Sequence, residues 1–195
     1  MIPLAVIDAF TDQPFAGNPA AVCVLPAWPS DTWLQNVARE MNLSETAFLV
    51  RQPGGEHELR WFTPAVEVAL CGHATLAAAH FLWDSGRAAA GLLLFGTRKS
   101  GLLAAQRHPS GEIELDFPAK LAAPCAPPPG LLDALGTEAV AVGRNEFDYL
   151  VELASAADVR ALSPDFAALA RVECRGVIVT ARAGDGRFDF VSRFF

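Results

Sequence analysis

GHATLAAAHFLW, Gly72–Trp83, is apolar almost all the way round a helix, and Asp84-Ser85-Gly86 stops it. A helix with no polar face must be surrounded by protein. Its natural housing is a strongly curved sheet wrapped about it, and the flanking sequence supplies the strands. Before it, Leu4–Phe10 and Pro19–Leu25 read as strands, joined by a loop with Pro14 and Gly17. Thr46–Arg51 and His57–Phe62 pair about the turn Pro53-Gly54-Gly55. After it come Gly91–Phe95, Leu102–Arg107 and Glu112–Phe117, with turns before Gly101 and at Pro109-Ser110-Gly111, which predicts an antiparallel meander. Between the second and third strands Ser30 or Asp31 caps a helix that Asn42 ends. Its Trp33, Leu34, Val37, Ala38 and Met41 share one face. Short strands linked by hairpins argue against a doubly wound parallel fold.

Pro118–Gly130 holds five prolines and reads as a domain linker. The expected organisation is a domain over 1–118 with the buried central helix 72–83, then a partial domain over 119–195. The second region has strands near Ala139–Val142 and Tyr149–Leu153 and short helices near Ala156–Leu162 and Pro164–Arg171. A final hairpin runs Gly176–Ala181, turn Gly184-Asp185-Gly186, Phe188–Phe195. The halves echo each other: Arg60-Trp61-Phe62 aligns with Arg193-Phe194-Phe195. Two hairpins alike by chance would give the same pattern.

Of the 195 residues 52% are hydrophobic and 19% charged, which excludes a disordered chain. A net charge of -7 without a run of like charges is a poor match for gripping phosphate backbones, so no nucleic-acid partner is expected. No stretch reaches the roughly 18 apolar residues of a membrane span, and the start lacks an export pattern. Cys23, Cys71, Cys125 and Cys174 are far apart, without a CxxC pair. Free thiols and no signal peptide predict a cytoplasmic protein.

Three segments could carry chemistry. In LCGHAT, Leu70–Thr75, the head of the apolar helix offers unpaired N–H groups and a partial positive charge, and Gly72 lets a ligand approach the backbone. This is the geometry of a carboxylate or phosphate cradle, with His73 at its rim. His73 as a plain helix cap is the alternative. Cys71 is either core or a thiol activated by the helix N-terminus. In NLSETAF, Asn42–Phe48, Glu45 lies between a helix and a strand with apolar neighbours. A carboxyl held half-dry has a raised pKa and can give and take protons near neutrality; otherwise Ser44 and Glu45 decorate a turn. In FAGNPAAV, Phe15–Val22, Asn18 either orients a substrate or makes an Asx turn.

An early DAF with GNPAAV, then NLSETAFL, then LRWFTPAVEVALCGHATLAAA, with FDFVSRFF at the end, resembles the PhzF-like proteins, relatives of diaminopimelate epimerase and proline racemase. The resemblance implies an α+β fold of two similar domains, each a barrel-like antiparallel sheet around a central helix, with the site in the cleft between them. It implies no cofactor and no metal. It gives Glu45 the part of general acid and base on a small carboxylate-bearing substrate. Gly72 and His73 would hold the carboxylate, with Asn18 near the cleft. A homodimer is a further expectation of the resemblance.

In that family the SRFF strand is followed by residues that complete the site and open a second central helix. Here the sequence stops at Phe195. The expectation is a truncated, cleaved or partner-completed second domain, and a chain catalytically incompetent alone. The leading functional reading is a cofactor-independent isomerase. The alternatives are a non-catalytic member that binds a ligand or partner through the cleft, and a cysteine-type epimerase using Cys71.

Overall fold

The computed structural model describes residues 2–195 apart from Pro14, Asp185 and Arg187. Pro14 of the expected first loop and Asp185 of the expected last turn therefore lie outside the described residues. The chain divides into two compact units, Met1–Pro118 and Ala119–Phe195. Among the described residues no helix is long and apolar enough to cross a membrane.

Unit 1 contains β1 (Leu4–Ala9), β2 (Asn18–Leu25), α1 (Asp31–Met41), β3 (Glu45–Arg51), β4 (His57–Phe62), β5 (Glu67–Val68), α2 (Gly72–Asp84), β6 (Leu92–Thr97), β7 (Leu102–Arg107) and β8 (Ile113–Asp116). The strands form one sheet, ordered β1-β2-β3-β4-β6-β7-β8, with β5 on β4. β6, β7 and β8 make the expected meander. The sheet is not antiparallel throughout, however: β2 runs parallel to β3, and β4 to β6. Parallel neighbours need a crossover, and α1 and α2 are those crossovers.

Strand alternation then sorts the side chains onto two faces. Ala20, Val22, Ala47, Leu49, Leu59, Trp61, Phe95 and Leu103 pack against α2. Cys23, Leu25, Phe48, Val50 and Phe62 pack against Leu34 and Ala38 of α1. α2 touches both β1 and β8, the two edges of the sheet, so the sheet curls about it. Ala77, Ala78, Ala79 and Leu82 are all buried. Ser30 caps α1 by accepting the Trp33 N–H, and Asn42, left-handed at φ 51°, ends it.

Unit 2 contains β9 (Ala123–Pro124), α3 (Leu131–Leu135), β10 (Ala141–Arg144), β11 (Asp148–Glu152), α4 (Ala156–Ala161), α5 (Phe166–Leu169), β12 (Gly176–Arg182) and β13 (Phe190–Phe194). Its sheet order is β13-β12-β11-β10-β9. The boundary between the two units falls in Pro118–Gly130, the expected linker, but part of that segment is built into unit 2. β9 pairs with β10, and the Cys125 N–H donates to the Val142 carbonyl at 3.0 Å. The prolines read as a linker in composition, and β9 is an edge strand, where proline is tolerated.

The sequence echo is real in three dimensions. β1-β2-β3-β4 pair antiparallel, parallel, antiparallel, and β10-β11-β12-β13 do the same. Arg60 lies 5.0 Å over the Phe62 ring, and Arg193 lies 4.7 Å over the Phe195 ring. Tyr149, Val151, Val177 and Val179 face α3, α4 and α5. Phe190 and Phe194 lie on the opposite face and are exposed. Among the described residues of unit 2, no helix takes the place that α2 has in unit 1.

Candidate active site

Glu45 is the first residue of β3 rather than part of the preceding turn. Its register opposite Ala20 puts it on the face that carries Ala47 and Leu49, the face turned to α2. Its side chain is 19% exposed, and burial raises the pKa of its carboxyl above the ordinary value. A hydrogen bond from Cys71 pulls the other way without cancelling the effect.

The head of α2 meets it. Cys71 is the N-cap in an extended conformation, Gly72 opens the helix and His73 follows. His73 Nε2 lies 3.3 Å from Glu45 Oε2, and His73 Nδ1 lies 3.4 Å from Cys71 Sγ. The Nε2 contact is close but misaligned for a hydrogen bond, so this buried nitrogen has no hydrogen-bond partner among the described residues. Burial lowers the pKa of His73, which is therefore neutral near pH 7. The tautomer sets which of the two ring nitrogens donates and which accepts.

Cys71 behaves opposite to the activated-thiol reading. Burial first, and the neighbouring Glu45 second, push its thiol up to about 12. The helix N-terminus cannot offset the loss of water around a residue only 8% exposed. Nor does His73 cap the helix, since Cys71 holds that position. One carboxylate, one thiol and one imidazole donor lie within 4.8 Å of one another, a set that could hold a metal ion. With the thiol protonated, the set as it stands shares protons.

The N–H groups of Gly72 and His73 sit in the first turn, where no carbonyl lies one turn back. A Cβ built on Gly72 meets nothing within 4 Å, so there is open space beside this residue. Asn18 reaches this region indirectly: its Oδ1 accepts the Ser44 hydroxyl at 3.2 Å, next in the chain to Glu45. The structure thus brings Glu45 and His73 together, sets Gly72 beside them, and ties in Asn18 through Ser44. A cavity of about 490 Å³ bordered by Trp28, Glu58, Arg60 and Arg98 includes none of these residues.

Two features escaped the sequence reading. One is Cys71 as the hydrogen-bonding neighbour of both Glu45 and His73. The other is Arg60, buried in β4 and paired with Asp31 and Glu67. An arginine flanked by apolar strand residues signals the second, because a buried guanidinium requires acceptors.

A family model described as phenazine biosynthesis-like protein matches residues 7–195. An uncharacterized isomerase of Halalkalibacterium halodurans is 50% identical over 99% of this chain and 72% of its own length. The crystal structure of a PhzF-family phenazine biosynthesis protein from Enterococcus faecalis superposes with a TM-score of 0.88 at 42% identity, covering 100% of this chain and 73% of that one. A hydroxyproline epimerase from Agrobacterium vitis shares the fold, with a TM-score of 0.57 at 14% identity over 99% of this chain and 69% of that one.

Proposed function

Because the chain belongs to the phenazine biosynthesis-like family, we propose that it is an isomerase that moves a proton on a small carboxylate-bearing molecule, with Glu45 as general acid and base. The observation that carries this reading is a half-dry carboxyl of raised pKa, 3.3 Å from a neutral buried imidazole at the head of a helix. Such a carboxyl can take a proton near neutral pH without holding it irreversibly.

In the proposed step the ionised Glu45 removes a proton from a carbon of an unsaturated substrate. The C–H electron pair moves into the conjugated system and the double bond shifts. Glu45, now protonated, returns the proton to a different carbon, so the net change is an isomerisation without oxidation or reduction. The substrate carboxylate sits on the amides of Gly72 and His73, where the helix dipole favours negative charge. The His73 imidazole faces the carboxyl and steadies whichever protonation state it holds. Asn18, held through Ser44, lines the same region.

The test is exchange of substrate carbon-bound hydrogen with D2O, followed by NMR over a panel of small unsaturated carboxylates. Glu45→Gln should abolish exchange with the fold intact, and retained exchange refutes the assignment. Ligand binding by wild type and variant alike, with no exchange in either, would favour the non-catalytic reading instead.

A further inference from the structure

We infer that Arg60 is a positioning residue for the candidate site: its two-point grip on Glu67 fixes the arm that carries Cys71, Gly72 and His73 to Glu45. The inference rests on the reading of Glu45 and the α2 head as the reacting site.

The arm leaves β4 at Thr63 and reaches the α2 N-cap at Cys71. Its own ladder is short: β5 pairs with β4 only through Phe62 with Glu67 and Trp61 with Val68. Side chains hold the rest. Arg60 Nε donates to Glu67 Oε1 at 2.7 Å, and Nη2 donates to Oε2 at 2.8 Å. Its Nη1 donates to Asp31 Oδ1 at 2.8 Å, at the start of α1. The guanidinium also lies 5.2 Å over Trp28 and 5.0 Å over Phe62, and the residue is 3% exposed. A planar fork locked on this many sides cannot be copied by a lysine. Further along, the Ser100 hydroxyl donates to the Ala69 carbonyl at 2.8 Å. Only Leu70 then separates the last tether from Cys71.

The internal repeat gives Arg60 a counterpart on β13. Arg193, the counterpart of Arg60, keeps the ring contact but donates to the carbonyls of Val159 and Leu162 at the end of α4. Among the described residues its hydrogen bonds go to this helix end. In unit 1 the Arg60–Glu67 pair lies on the arm that delivers His73 to within 3.3 Å of Glu45. Displacing a reacting group by about 1 Å can cost a hundredfold in rate, so this arm is where rigidity matters.

The test is an NMR pH titration of the imidazoles in the full chain, comparing wild type with Arg60→Lys and Glu67→Gln. Glu45 from β3 and Cys71 from the N-cap face the His73 ring, so its midpoint reports the position of the arm. His57, buried on β4, serves as the reference in the same spectrum. The expected result is a His73 midpoint displaced by about half a pH unit or more, with His57 unmoved. A His73 titration unchanged in both variants while thermal stability falls would assign Arg60 a purely structural role and overturn the inference. Should Arg60→Lys fail to fold, Glu67→Gln decides alone, since it keeps the side-chain shape. The readout needs no turnover. A displaced His73 together with retained exchange in Glu45→Gln would sink the proton-transfer reading and leave the clamp standing.

Discussion

Gly72→Ala separates the needs of the fold from those of the proposed site, because the two respond with opposite sign. Gly72 has no positive φ, and an added Cβ meets nothing within 4 Å. Alanine at an unstrained position restricts the unfolded chain and stabilises by about 0.4–1 kcal/mol. For a chain of this size that is a rise in melting temperature of about 1–4 °C. The new methyl, however, takes up open space at the residue on which the substrate carboxylate is proposed to rest. A ligand pushed aside by about 1 Å loses on the order of a hundredfold in rate. Thermal melts by circular dichroism and D2O exchange by NMR read the two effects on one sample. Gly176→Ala is the steric control: its Cβ would lie 2.3 Å from the Phe194 ring, so that variant should lose about 1–3 kcal/mol. A Gly72→Ala protein that melts higher and exchanges at the wild-type rate would refute the carboxylate seat.

Glu45→Gln should lower exchange by about 10²–10⁴-fold, the usual contribution of a positioned acid–base group. It should also stabilise the fold at neutral pH. The raised pKa of Glu45 means that the folded state disfavours the ionised form, so the variant's advantage is absent below the unfolded carboxyl pKa and grows as pH rises through the folded one; equal melting temperatures at pH 4 and 7 would count against it. His57 and His73 both have lowered pKa values from burial, with Arg51 adding to the effect at His57. Their contribution to stability is fully present above the ordinary histidine value of 6.5 and is lost as pH falls toward their folded values. Urea midpoints measured between pH 7.5 and pH 5, on the order of the histidine range, should fall with acid, and His57→Phe should flatten that slope. Iodoacetamide should label exposed Cys125 well before Cys71, which is buried with a thiol pushed up to about 12; mass spectrometry showing Cys71 labelled first would mean that the α2 head opens readily.

What could be read from the residues alone was whatever depends on local pattern. The apolar circumference of Gly72–Trp83 demanded an enclosing sheet, and α2 has one. Ser30 and Asn42 marked the ends of α1 through capping chemistry that belongs to single residues. Strand adjacency is different, because no residue in β4 encodes that its parallel neighbour is β6 across a helix. Proline content marked the unit boundary at Pro118–Gly130 but could not show that one stretch of it pairs on a sheet edge. In the candidate site, the apolar setting of Glu45 and the helix head at His73 left a turn and a cap as open alternatives, and it was the family resemblance that singled the two residues out. Their distance was not legible, and neither was the inertness of Cys71. The helix N-terminus is a local feature that lowers a thiol pKa. The burial that outweighs it comes from distant strands.

That reversal at Cys71 explains how one pocket assigns different work to two acids. Desolvation acts on both side chains in the same direction and raises both pKa values. The starting points decide the outcome. A carboxyl is raised from 4.5, and a general base must be able both to accept and to release a proton. A thiol rises from 9.0 to about 12 and is left holding its proton. The same dryness that makes Glu45 serviceable therefore takes Cys71 out of acid–base work and leaves it as a hydrogen-bonding neighbour of Glu45 and His73. A cysteine mechanism at this helix head would need water or a cation beside the sulfur. The structure instead sets a carboxylate there, which makes the thiolate harder to form. In the proposed mechanism the proton is therefore carried by Glu45, the first residue of β3.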